Sequence, residues 1–303
     1  MMNKHFYYFY IVILFLAIST APILAADANT PMGGDLIRGH VTDYKITDGF
    51  IYKIFDSIGI EFTKHILMLW ISAFVTIAMA LWATRRYRND IHAKPKGLSH
   101  LYEMLIDFIK KEIIIPNIGA SGVKRWTPLA ASFFVFILTC NLLGLIPFFE
   151  KVGGGGGATA TGNFGVTVGL AFITFIAIII AGTLKHGFIG HWKNMIPGGV
   201  PAPVLLILIP IEIIGMFVKP LALTLRLGAN MTAGHIGMLA IFGLPYLIAP
   251  GGDFSITWGA FGFIAVILNF GIYFLEIIVS LVQAYVFTLL SMVFIGMAIH
   301  ADH

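Results

Sequence analysis

Two long apolar runs, residues 204 to about 248 and 255 to 300, constrain this chain more than any other feature. The first holds Glu212, Lys219 and Arg226 as its only Asp, Glu, Lys or Arg side chains, and the second holds Glu276 alone. At 1.5 Å per residue, a helix of 45 residues reaches about 68 Å, over twice the roughly 30 Å hydrocarbon core of a bilayer. Each run must therefore be broken, hairpinned or laid strongly aslant. The rest of the chain agrees with a lipid setting: 58% of its 303 residues are hydrophobic and 11% charged, with a mean hydropathy of +0.90. Soluble domains carry about 25% charged residues, so a water-soluble globular enzyme is excluded.

Residues 65–84, 126–149 and 164–184 are each long and apolar enough for one crossing. The expected fold is thus an all-α polytopic membrane protein with about five membrane helices. Between the first two spans lie Arg85, Arg86, Arg88, Lys94, Lys96, Lys110, Lys111, Lys124 and Arg125 against four acids, and residues 185–199 add Lys185 and Lys193 with no acid. The opposite loops carry Glu150 with Lys151, and Asp253. Basic loops stay cytoplasmic, which puts the N-terminus outside and the C-terminus inside. The same placement explains the net charge of +4 without a nucleic-acid partner.

Residues 1–28 place Lys4 and His5 before an apolar stretch and a small-residue site at Ala26-Asp27-Ala28, the order of a secretory signal peptide. A retained first membrane helix is the alternative. With the signal reading, residues 29–64 form an extracytoplasmic segment and 65–303 the membrane domain. Leu101, Leu105, Phe108, Ile109 and Ile113 recur at helical spacing among charged residues, predicting an amphipathic helix at the membrane interface or on a neighbouring subunit. Gly153 to Gly157 reads as a flexible external loop, and no nucleotide-binding loop is present. Cys140, the lone cysteine, reads as packing, and the histidines flanking the spans as interfacial rather than metal ligands.

Ionisable groups inside a membrane are costly and point to function. Glu212, Lys219 and Arg226 are spaced by seven, a step that drifts only about 20° around a helix, so they share one face, with Asn230 beside them. Gly215, Ala222, Ala229, Ala233 and Gly237 flank that face and would let another helix approach closely. Arg226 keeps its proton at any relevant pH, so it is a fixed charge and not a proton carrier. Glu212 and Lys219 either serve the same face or snorkel at the boundary. Pro220 predicts a local bend.

In the last run Asn269, Glu276 and Gln283 repeat the spacing of seven, joined by Tyr273 and Ser280 in one polar track. His235 lies nine residues past Arg226, about 180° around the helix, and reads either as a proton relay with Glu276 or as a hydrogen-bonded interior histidine. An anion-binding secondary transporter would expect repeated halves, which the sequence lacks, and a plain scaffold leaves both stripes unexplained.

The run Leu225-Arg226-Leu227-Gly228-Ala229-Asn230-Met231-Thr232-Ala233-Gly234-His235 resembles the signature of subunit a of F-type ATP synthases. Asn141-Leu142-Leu143-Gly144-Leu145-Ile146-Pro147 and Gln283-Ala284-Tyr285-Val286-Phe287 resemble further motifs of that family, and the similarity runs from about residue 40 to the end. The resemblance implies a proton-translocating stator subunit of the Fo sector. Its last two helices would lie strongly tilted against a rotating ring of c subunits and bound two half-channels. Arg226 would be the essential arginine, Asn230 and Gln283 its neighbours, and Glu212, His235 and Glu276 would line the aqueous routes. Lys219 and Asn269 lie on the same two polar faces. His235 and Glu276 stand where many bacterial members have Glu and His respectively.

The implied partners are the c ring, b-type peripheral stalk subunits, the F1 head, membrane lipids and protons, with no cofactor, metal, nucleic acid or active site of its own. The implied location is the bacterial cytoplasmic membrane.

Overall fold

The computed structural model describes residues 63–88, 94, 96–146, 159–193, 202–248 and 256–300. The signal-like segment, the extracytoplasmic segment up to residue 62 and the loop of Gly153 to Gly157 lie outside these residues.

Helix α1, Lys64–Thr84, begins at Thr63, whose hydroxyl caps the Ile66 amide. Gly97, at φ 59°, turns the chain into α2, Leu98–Phe108, which continues through a π-helical turn, Ile109–Ile114, into the short α3, Ile115–Ile118. Gly119, at φ 90°, ends that run, a conformation glycine adopts without steric cost. Next come α4, Val123–Leu145, and α5, Phe164–His186, the latter capped by the Asn163 side chain on the Gly165 amide at 2.7 Å. After α6, Phe188–Lys193, come the two long helices, α7, Ala202–Ile248, and α8, Ile256–Ile299. Among the described residues, helices α1, α4, α5, α7 and α8 are the five long and apolar enough to cross a membrane.

The long runs are thus single continuous helices of 47 and 44 residues, neither broken nor hairpinned. Helix α7 passes through Pro220, where the Thr224 hydroxyl bonds the Pro220 carbonyl at 3.1 Å. Pro220 has no amide for the Met216 carbonyl, one lost bond that a helix packed on its neighbours accommodates without ending.

The core centres on α4. Ala130, Phe133, Ile137 and Cys140 are buried there, Leu170 joins from α5, and Ala284, Phe287 and Met292 from α8. Phe133 meets Phe287 edge to face at 5.4 Å. Helix α7 packs on α5 and α8, and α1 on α4. Helices α7 and α8 run antiparallel, since Lys219 reaches Phe294 while Gly234 meets Glu276.

The amphipathic segment differs in part from its expected place. Leu101 and Phe108 are exposed as an interfacial face requires, whereas Ile109 and Ile113 are fully buried in this chain's own core. The π turn that starts at Ile109 adds a residue to the helical repeat, and Ile109, Ile113 and Ile114 within it all face the core.

Candidate functional site

Helix α7 divides its residues between two surroundings. Leu223, Leu227 and Met231 are buried, and Gly228 lets the helix approach Phe164 and Thr167 of α5. Arg226, Ala229, Asn230 and Ala233 face outward instead, among exposed apolar side chains such as Leu221, Leu225 and Ile236. Arg226 has no ion pair or hydrogen bond among the described residues. The fixed charge and its small neighbours therefore sit on open surface.

Upstream on α7, Glu212 and Lys219 are half-buried. The Lys219 Nζ lies 5.8 Å from the centroid of the Phe294 ring, within cation–π range. Lys219 thus reaches across to α8, while Arg226 points away from the protein's interior.

The polar face of α8 turns inward. Asn269, Glu276, Ser280 and Gln283 are all buried and Tyr273 is half-buried. The spacing of seven has become one internal polar track. Gly234 of α7 makes room for its carboxyl, because a Cβ at that position would collide with both oxygens of Glu276. Glu276 is thereby seated one residue from His235. Its Oε2, the Ser280 hydroxyl and both amide atoms of Asn269 are buried without a hydrogen-bond partner among the described residues. Buried polar groups left so are costly, and proteins retain them where they act.

Around His235 the sequence reading missed several groups. The Thr159 hydroxyl stands 2.5 Å from Nε2 of His235. Thr161 donates to Oδ1 of Asn141 at 2.6 Å, and Asn141, fully buried, donates to the Ser280 carbonyl at 3.3 Å. Thr232 bonds the Gly228 carbonyl at 2.9 Å and reaches the Gly162 carbonyl at 3.4 Å. The turn Ala160–Gly162 thus joins α4 to α7, and Asn141 of α4 carries the link on to α8. Thr159 and Thr161 belong to a turn, where no helical period exists to single them out, and Asn141 stood out only through its motif.

The structure therefore brings Glu276, Gly234, His235, Thr159, Asn141 and Ser280 together inside the bundle. It leaves Arg226 and Asn230 outside, with Glu212 about 21 Å along α7 from the arginine at 1.5 Å per residue. Two groups able to gain and lose a proton, the buried Glu276 and the half-buried His235, lie on this side; a charge that cannot do so lies on the open face.

The sequence profile of the ATP synthase A chain family matches residues 66–296. The chain is 39% identical over 278 residues to ATP synthase subunit a of Chloroherpeton thalassium, covering 88% of this chain and 76% of that one. It is 37% identical over 283 residues to ATP synthase subunit a 2 of Chlorobaculum tepidum, covering 89% and 74%, and 36% identical over 294 residues to ATP synthase subunit a of Chlorobium phaeobacteroides, covering 92% and 80%. The matched region takes in Arg226 and both polar faces, and this multi-pass membrane chain belongs to the ATP synthase A chain family.

Proposed function

We propose that the chain is the proton-conducting stator subunit of an F-type ATP synthase, carrying no nucleotide chemistry itself. It works in a bacterial cytoplasmic membrane with its N-terminus outside, against a rotating ring of c subunits. Peripheral stalk subunits of the b type hold it in place, and the F1 head makes the ATP. The observation that carries this reading is the division of α7: Arg226 lies on an open apolar face, while the half-buried His235 and its neighbour Gly234 lie on the side where Glu276 of α8 is buried.

A carboxyl carried past Arg226 by a moving partner is favoured in its ionised form, because opposite charges attract strongly where water is scarce. The arginine has no proton to relay, so protons cannot cross directly from one access route to the other. His235 and Glu276 exchange protons within one route, and Asn269 and Gln283 extend its polar wall along α8. Asn230 stands one helical turn from Arg226 on the ring-facing side. Glu212 and Lys219 belong to the far end of α7. Each charge moved across 100 mV yields about 2.3 kcal/mol, so several must pass for each ATP.

The test is Arg226→Ala in the assembled complex. Proton-driven ATP synthesis should vanish while the c ring and F1 remain associated. Synthesis at the normal rate would overturn the reading, as would purification of the chain without a c ring or ATPase head.

A further inference from the structure

Thr159 is held from two sides. Its side chain rests on Gly144 of α4, where an added Cβ would collide with the threonine hydroxyl, Cβ and Cα. Its carbonyl accepts from the Gly162 amide at 2.9 Å. The residue is only 2% exposed, and its hydroxyl stands 2.5 Å from Nε2 of His235. On the adjoining position of α7, Gly234 receives the Glu276 carboxyl. The imidazole thus projects from a backbone braced by the acid of α8 and meets a hydroxyl braced by α4.

We infer that Thr159 is a positioning residue for proton transfer, its hydroxyl holding one ring nitrogen of His235 so that the proton gained or lost is the one on Nδ1. The two imidazole nitrogens are distinct, and the hydrogen bond at one sets what the other carries. A hydroxyl suits this task because its oxygen accepts the Nε2 hydrogen in the neutral and in the protonated ring alike, which leaves Nδ1 as the atom that changes. The contact survives both states of the ring. A carboxylate there would trap the charged form, and an apolar side chain would let the ring turn. Gly144 has a part in the same device, since any larger residue would push the hydroxyl off its mark. The inference rests on His235 acting as a proton carrier.

The experiment uses the whole complex in inverted membrane vesicles, reading ATP-driven acidification and, after removal of F1, passive proton conduction. Thr159→Val keeps the volume and deletes the hydroxyl; conduction should fall about three- to tenfold, the worth of one hydrogen bond. Thr159→Ser should restore it to within about twofold. In a His235→Ala background, Thr159→Val should cause no further loss, because the hydroxyl has no ring to hold. Where residual conduction there is too small to measure, the contrast between Val and Ser decides alone.

Normal conduction in Thr159→Val, or an equal fractional loss without His235, would overturn the assignment. Loss of F1 binding in Thr159→Val and in the smaller Thr159→Ala, unrelieved by Ser, would make Thr159 a packing residue and overturn it too. Normal conduction in His235→Ala alone would instead overturn the carrier reading, which separates the two failures.

Discussion

At Gly234 a missing side chain matters as much as a charged one. The Glu276 carboxyl occupies the space a Cβ would fill, so Gly234→Ala must displace the acid or push α7 from α8. Overpacking of this kind costs about 1–3 kcal/mol. Proton conduction in stripped vesicles should drop severalfold more than subunit abundance does. Exchanging His235 and Glu276 together should be tolerated better than either single change, measured as growth on a non-fermentable substrate; a double exchange no better than the singles would break the pairing. The spacing of seven made Asn269, Glu276 and Gln283 readable from sequence, because helical period is a sequence property. That Gly234 is the seat of Glu276 was not readable, because a glycine's neighbour comes from another helix.

Among the elements, the end of α8 shows how tightly the bundle closes. A Cβ on Gly296 would strike the backbone carbonyl of Asn117, just beyond the π turn, and His300 Nε2 bonds the Ile118 carbonyl at 3.1 Å. Backbone cannot rotate away as a side chain can. Gly296→Val should therefore lower the melting temperature of the purified complex and the amount of subunit in membranes, whereas the same change at Gly271, which has open space around it, should do neither. The apolar spans themselves were readable, their ends within a few residues, since composition and length decide them. Continuity was not: 45 apolar residues permit a hairpin as readily as a rod, and only packing of α7 along α5 and α8 settles it. The π turn also escaped, because a period of 3.6 read through residues 101–113 has no way to register an inserted residue.

Among the described residues, α7 and α8 present long apolar faces that no other helix covers, and Phe74 and Trp82 of α1 are exposed as well. The molecule's core lies around α4, while Leu206, Phe217 and Leu225 of α7 and Phe270, Phe274 and Leu281 of α8 are bare. Ala229 belongs to that open side, so Ala229→Trp leaves the internal packing untouched and obstructs whatever passes Arg226. Membrane insertion of the variant should be normal and coupled ATP synthesis should fall at least tenfold, assayed in vesicles energised by an imposed gradient. The unbroken length of α7 has a further geometric consequence. Its apolar part, Val204–Met238, has 35 residues, about 52 Å of helix in a layer of about 30 Å. Such a rod lying within the layer is displaced sideways by about 43 Å from one surface to the other. With neighbouring helices about 8–10 Å apart, that displacement is four or five helix widths. A helix this long is therefore a ruler laid along the membrane plane: with the proposed ring of c subunits against it, it would set how far around that ring the point of departure lies from the point of arrival.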